Sequence, residues 1–246
     1  MKTIKYKITS LLGKSVIYFL EKLISGFVKK EIYISTDQFK WIDVLESNYS
    51  QIKHEFDEFY KKHTGLIPDI CEISEEQNQV VNKNEWKFIP LYAYGIPVTS
   101  YLPFFPVTAK CLQSIPDYTT VFFSILMPKT KIKSHRGAYK GFLRYHLGIR
   151  IPENNKICGI NISNEVYHWE NGKSVVFDDT FEHFAWNDSN EYRTVLYIDF
   201  IRPMPAFLMW ISKKMTKVIS KSLFIQNAVK NLNNFEQDKN LVKILG

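Results

Sequence analysis

The sequence predicts a mainly β domain, an antiparallel sandwich or jelly roll with helices flanking it. The 246 residues are 45% hydrophobic and 15% aromatic, which is enough apolar material for one sizeable core. After residue 118, short β-branched and aromatic runs follow one another with turn residues between them and no helical pattern. Such spacing is typical of sandwiches and jelly rolls. The predicted strands are Thr119–Met127, Phe142–Ile151, Ile157–Ile162, Val166–Trp169, Ser174–Phe177 and Thr194–Ile201.

Helical patterns lie on both sides of this region. Apolar residues recur at helical spacing over residues 11–29 and 37–62, and again after Arg202 and Pro203. A short helix is expected over residues 104–115, a loop over 63–86 and a strand over Lys87–Tyr94. We therefore divide the chain into an N-terminal basic amphipathic helix, a β domain with a helical lead-in, and a C-terminal basic amphipathic helix with a tail. These parts span residues 1–36, 37–203 and 204–246.

The net charge of +7 is concentrated at the two ends of the chain. Residues 1–30 contain seven lysines and one glutamate, and residues 202–221 contain five basic residues and no acid. Between them the chain is mildly acidic, which disfavours a nucleic-acid groove, and no nucleic-acid partner is expected. The basic amphipathic helices leave two interpretations open: peripheral contact with a membrane, or packing on the β domain.

We expect the protein to be cytoplasmic. If the basic amphipathic helices contact a membrane, they would contact its inner face. No apolar run reaches the roughly 20 residues of a membrane span, and no signal peptide is recognised at the N-terminus. Three widely separated cysteines, Cys71, Cys111 and Cys158, form neither a disulfide framework nor a CxxC metal motif. We expect three buried free thiols in a reducing compartment.

A few polar residues near predicted strand ends indicate chemistry. His135 ends the alternating segment Lys131–His135, and His183 follows a strand and two aspartates. Two neutral imidazoles at one end of a jelly roll suit Fe(II), and equally Zn or Ni. Arg144 and His146 are two apart in a strand and so share a face. Arg193 opens the last strand, and arginine is the cation that fits a carboxylate best.

Two stretches carry a resemblance to a known family: FFSILMPKTKIKSHRGAYKGFLRYHLGIRIP and HWENGKSVVFDDTFEHFAWNDSNEYRTVLYIDFIRP. Together they are similar to the core of the aspartyl/asparaginyl β-hydroxylase family over about residues 119–203. The motifs HRG, LRYHLG and FDDTFEHFAWND and the arginine before the last strand match in order. Residues 37–118 resemble bacterial members of the family more loosely.

The resemblance implies a double-stranded β-helix, the cupin-like form of the jelly roll, that binds Fe(II) and 2-oxoglutarate as cosubstrate. By position, it implies His135 and His183 as iron ligands, Ser124 and Arg193 at the distal carboxylate of 2-oxoglutarate, and Arg144 and His146 near the end that chelates iron.

The usual third iron ligand of related oxygenases is a carboxylate two residues after the first histidine. Here that position is Gly137, and the family shares this lack. We expect a water molecule at the third site, held by Asp179, which lies four residues before His183.

The function implied is hydroxylation of a C–H bond, with β-hydroxylation of an Asp or Asn side chain in a peptide ranked first. Hydroxylation of a lipid A fatty acyl chain at the membrane surface is the alternative, because bacterial lipid A hydroxylases resemble the same family. Two further alternatives are a non-catalytic cupin-like binding module and halogenation, since a vacant coordination site can accept chloride.

Overall fold

The computed structural model describes residues 15–239, except for the side chains of residues 75 and 76. Residues 15–25 form a helix, α1, within the predicted helix 11–29, whose first four residues lie outside the described part of the chain. Two antiparallel sheets of seven and four strands follow.

The larger sheet has the order β1-β9-β6-β11-β4-β2-β3, and the smaller has the order β5-β10-β7-β8. The strands are β1 (Tyr33–Ile34), β2 (Trp86–Ala93), β3 (Ile96–Pro97), β4 (Tyr118–Leu126), β5 (Thr130–His135), β6 (Phe142–Arg150), β7 (Cys158–Ile162), β8 (Glu165–Tyr167), β9 (Ser174–Phe177), β10 (His183–Asn187) and β11 (Arg193–Ile201). Strands β4 to β11 alternate between the two sheets, except that the hairpin β7–β8 lies wholly in the four-stranded sheet. This is the arrangement of a double-stranded β-helix, and the predicted fold class is confirmed.

The larger sheet is covered on both faces, which explains why β4 and β11 are almost continuously apolar. On its outer face, Phe123 packs against Phe56 and Phe200 packs against Trp41, with ring centroids 5.3 and 5.2 Å apart. On its inner face the alternate residues include polar ones, such as Ser124. The period of two along each strand thus separates the core from the site.

The helical lead-in differs from the prediction of one helix over residues 37–62. Two helices, α2 (Trp41–Ser47) and α3 (Tyr49–His63), are separated at Asn48, whose Nδ2 donates to the Val44 carbonyl at 2.7 Å. Asparagine side chains compete for backbone groups in this way and interrupt helices.

The predicted loop over residues 63–86 also contains a short helix, α4 (Ile70–Ile73), which begins where the Asp69 side chain accepts from Cys71 N at 2.9 Å. The helix predicted over residues 104–115 is α5 (Pro106–Leu112).

The C-terminal segment forms two helices, α6 (Ala206–Ser220) and α7 (Leu223–Asp238), where one helix and a tail were expected. Ser222 starts α7 because its hydroxyl accepts from Ile225 N at 3.4 Å. Helix α7 lies against α4, with Asn231 Nδ2 donating to the Ile73 carbonyl at 3.1 Å.

Helices α1 and α6 pack on the β domain through a second, smaller core, so part of each helix is buried. Its buried members are Leu20, Ile24, Tyr139, Phe142, Ile201 and Leu208. No helix within residues 15–239 has the length and apolar character needed to cross a bilayer. The three cysteines are buried and free, as expected.

Candidate active site

The two predicted iron ligands lie side by side on the smaller sheet. His135 ends β5 and pairs with His183 at the start of β10, and their ring centroids are 4.3 Å apart. His135 Nδ1 lies 2.8 Å from the Lys133 carbonyl, and His183 Nδ1 lies 2.8 Å from the Phe181 carbonyl. A carbonyl only accepts, so Nδ1 carries the proton in both rings and Nε2 is left with its lone pair.

Both imidazoles are held in the neutral form that binds a metal. Burial lowers the pKa of His135, and burial together with the nearby Arg144 guanidinium lowers the pKa of His183 to about 3. Fixing the ring through an Nδ1 hydrogen bond is how proteins orient metal-ligating histidines. The pair can therefore offer two preoriented nitrogen donors, which suits Fe(II).

Asp179 occupies the space that a side chain at position 137 would need. Gly137 N donates to the Asp179 carbonyl at 2.7 Å, and a Cβ at residue 137 would overlap Asp179 Oδ2. A carboxylate thus lies where a side chain of residue 137 would lie, although it comes from the turn before β10. The expected role of Asp179 in holding a water molecule stays a prediction.

This geometry predicts that Gly137→Ala destabilises the protein, because Asp179 must move away from Arg144. Overpacking of this kind typically costs about 1–3 kcal/mol in the free energy of unfolding. Denaturant unfolding of the iron-free protein measures it. Gly65→Ala is the control, because a Cβ there meets no atom of the described residues within 4 Å. Equal stability of the two variants would contradict the close approach.

Arg144 is held between two carboxylates. Its Nη2 lies 2.7 Å from Asp179 Oδ2, its Nε donates to Asp199 Oδ1 at 2.9 Å, and its Cζ lies 4.4 Å above the Tyr197 ring. Burial raises the pKa of Asp179 to about 6 against the opposing effect of Arg144, which leaves the carboxyl ionised at neutral pH. Asp199 is not among the predicted residues, although it shares the inner face of β11 with Arg193.

Arg193 is a buried cation with unused donors. It is 2% exposed, its Nε and Nη1 have no hydrogen-bond partner among the described residues, and its Cζ lies 4.4 Å over the Trp169 ring. Burial lowers its pKa to about 10, so it remains charged at neutral pH. Because an unpaired buried charge is costly, this arrangement is typical of a site that binds an anion.

His146 and Ser124 present further hydrogen-bonding groups to the same cavity. Burial and the nearby Arg144 and Arg193 hold the pKa of His146 well below its usual range, and neither ring nitrogen has a partner within the described part of the chain. Ser124 Oγ accepts from Trp86 Nε1 at 3.0 Å, which leaves its own proton free to be donated.

One cavity of about 40 Å³ joins all six predicted site residues. Its lining is Trp86, Ser124, Ile132, His135, Arg144, His146, Ile160, Trp169, Phe177, His183, Ala185, Arg193 and Tyr197. His135 and His183 come from the four-stranded sheet, and the other four predicted residues come from the seven-stranded sheet. Within residues 15–239, no three His, Cys, Asp or Glu side chains are grouped as a metal site.

Comparison with known proteins gives a family match over this whole region. The model of the aspartyl/asparaginyl β-hydroxylase family matches residues 46–203. The chain is 32% identical to an ornithine lipid ester-linked acyl 2-hydroxylase of Rhizobium tropici, over 82% of this chain and 72% of that protein. It is 31% identical to human aspartyl/asparaginyl β-hydroxylase over 65% of this chain, which spans only 21% of the human protein.

Among solved structures, a Pseudomonas putida prolyl-4-hydroxylase matches with a TM-score of 0.42 and 11% identity, over 71% of this chain and 94% of that one.

Proposed function

Because the chain belongs to the aspartyl/asparaginyl β-hydroxylase family, we propose that it is an Fe(II)- and 2-oxoglutarate-dependent dioxygenase that hydroxylates a C–H bond. The observation that carries the proposal is the state of Arg193, a buried cation whose Nε and Nη1 have no partner among the described residues. Arg193 lines the same cavity as His135 and His183. A dicarboxylate that reaches from a metal to a guanidinium satisfies both ends of this cavity.

The residues have separable roles. Nε2 of His135 and of His183 would hold Fe(II), and the iron supplies the oxidising chemistry when 2-oxoglutarate and dioxygen are bound. Arg193 and Ser124 would bind the distal carboxylate of the cosubstrate through charge-assisted and hydroxyl hydrogen bonds. His146, neutral and with a free donor, would bind near the chelating end.

Arg144 would act at the chelating end as well, but its charge is shared with Asp179 and Asp199. The overall reaction converts substrate, 2-oxoglutarate and dioxygen to hydroxylated product, succinate and carbon dioxide.

For the substrate we favour a fatty acyl chain carried by a membrane lipid over an Asp or Asn side chain. The match to the rhizobial acyl hydroxylase extends over most of both chains, whereas the match to the human enzyme spans a fifth of that protein. The described part of α1 and α6 also exposes large aromatic side chains, with Phe19 67% and Trp210 61% exposed.

Lysines accompany these exposed aromatic residues. Lys22 Nζ lies 5.0 Å from the ring centre of Tyr18, and Lys214 Nζ lies 5.3 Å from that of Trp210. Aromatic and basic side chains on the outside of an amphipathic helix are typical of helices that lie in a membrane interface. The helices thus bury one side on the β domain and offer the other to an anionic lipid surface.

We expect the double variant Phe19→Ala and Trp210→Ala to bind anionic vesicles at least about tenfold more weakly. Each aromatic ring that enters the membrane contributes about 1.5–3 kcal/mol to the free energy of binding. Cosedimentation with vesicles measures the partitioning. Val166→Ala, which removes an apolar residue that is 51% exposed on β8, is the control. Equal partitioning of both variants would remove the support that these helices give to a lipid substrate.

The function is tested by anaerobic addition of Fe(II) and 2-oxoglutarate, followed by succinate measurement with dioxygen. The expected result is a visible absorption band on mixing, and succinate release stimulated by extracted membrane lipid. Stimulation by peptides containing Asp or Asn, and not by lipid, would replace the acyl substrate with the peptide one. Failure to bind iron and 2-oxoglutarate together would overturn the dioxygenase proposal.

A further inference from the structure

A second cavity, of about 180 Å³, lies on the same face of the seven-stranded sheet as the candidate active site. Phe122 lines it and is two residues from Ser124 on β4, so both side chains emerge from the same side of the sheet. The lining residues come from β2, β4, α4, α7 and adjoining loops, and they include Tyr94, Phe122, Phe224, Ala228 and Val229.

The two cavities adjoin through aromatic side chains. The Phe122 ring stacks on the Tyr197 ring with centroids 4.1 Å apart, and Tyr197 in turn lines the active-site cavity beneath Arg144. Tyr94 lines the second cavity near Asp199, and burial with this carboxylate raises its pKa to about 12, so its hydroxyl stays neutral. A ligand in the second cavity would therefore end against the Phe122 and Tyr197 rings, next to which Arg144 lies.

The lining of the active-site cavity leaves no charged group for a substrate. Its two arginines, its three histidines and Ser124 are assigned above to iron and 2-oxoglutarate. The reacting part of the substrate must approach from outside this space, and the larger cavity adjoins it.

We propose that the second cavity binds the hydrocarbon of the acyl chain, so that the carbon to be hydroxylated lies beside the iron site. This proposal rests on the proposed function. Among the described residues, the lining contains no charged side chain, and its polar side chains, such as Gln77 and Thr120, are fewer than its apolar ones. An ionised Asp side chain would lose its hydration there without a cation to pair with, whereas a hydrocarbon chain has no such hydration to lose.

Helix α7 makes the outer wall of this cavity and lies beyond the matched residues 46–203. Five of its residues line the cavity, and one of them, Phe224, is 36% exposed, so the cavity reaches the surface beside the exposed Leu223. Chain-length selectivity would thus be set by the C-terminal helix of this protein and not by the common core of the family.

The test fills the cavity from α7. Ala228→Phe places a ring in it, and Asn227→Phe, on the exposed side of the same helix, is the matched control. Binding of a fluorescent fatty acid is measured on the iron-free protein, and 2-oxoglutarate binding is measured separately on the iron-loaded protein. We expect Ala228→Phe to weaken fatty acid binding at least about tenfold while 2-oxoglutarate affinity is unchanged, and Asn227→Phe to change neither.

A second variant covers the case in which Ala228→Phe disturbs α7. Val229→Ala enlarges the cavity and should shift the preferred fatty acid to a longer chain. If wild type fails to bind fatty acids, or if both cavity variants bind every chain length as wild type does, the acyl-site proposal is overturned. Because the fatty acid assay needs no iron, that result is distinct from failure of the dioxygenase proposal, which appears as absence of 2-oxoglutarate turnover.

Discussion

Replacing either His135 or His183 with alanine is expected to abolish iron binding and bring succinate formation below detection. Each histidine would supply one of the two protein donors, through an Nε2 freed by the Nδ1 hydrogen bond to a carbonyl. No further His, Cys, Asp or Glu in the described part of the chain joins them in a three-residue metal site that could compensate. Iron content after desalting and succinate release per protein are the two measurements.

His54→Ala is the control for this pair, because His54 is exposed on α3, far from β5 and β10 in sequence. The variants should keep the circular dichroism of the wild type, since each lost side chain makes one hydrogen bond to a carbonyl. Near-normal succinate release by either variant would show that the ligand assignment is wrong.

Arg193→Ala is expected to raise the 2-oxoglutarate concentration needed for half-maximal turnover by roughly tenfold to a few hundredfold. A charge-assisted hydrogen bond is worth on the order of 1.5–3 kcal/mol, and about 1.4 kcal/mol is one decade. Arg193→Lys should recover part of the loss, because an ammonium group lacks the planar fork. Titration of iron-loaded protein with 2-oxoglutarate measures the affinity directly.

The stability of the iron-free Arg193→Ala protein separates a binding role from a structural one. A buried cation with unpaired donors costs free energy in the unliganded fold, so its removal should leave the melting temperature unchanged or raise it. Arg150→Ala, at a half-exposed arginine on β6 whose Cζ lies 4.7 Å from the Tyr192 ring centre, serves as control for loss of one arginine. A marked loss of stability with unchanged 2-oxoglutarate affinity would show that Arg193 does not bind the distal carboxylate of 2-oxoglutarate.

Seven of the eleven strands in the described residues could be predicted from sequence because they are β-branched and aromatic runs bounded by turn residues. Strand β10, which carries His183, was not predicted, since its alternation is reversed: Phe184 is 41% exposed while His183 is buried. Strands are predicted from an alternation of apolar and polar residues, because apolar residues are usually the buried ones. A strand that buries polar residues of a functional site lacks this alternation.

The partners of the site residues could not be predicted, because they depend on pairings between distant strands. Asp178 and Asp179 are adjacent, yet Asp178 forms buried ion pairs with Lys140 and Arg202, whereas Asp179 pairs with Arg144. Likewise nothing in the sequence distinguishes Trp169, which lies over Arg193, from an ordinary core tryptophan. The sequence motifs could therefore predict which residues line the site, but not which ion pairs and ring contacts position their side chains.

The division of the site between the two sheets has a thermodynamic consequence. Under the proposed function, iron is held by the four-stranded sheet, whereas the cosubstrate is held by the seven-stranded sheet and by the iron itself. A chelated cosubstrate would therefore tie one sheet to the other, and neither ligand alone could do so. Thermodynamic linkage then requires that iron and 2-oxoglutarate each tighten the binding of the other by the same factor. Together they should raise the free energy of unfolding by more than the sum of their separate effects.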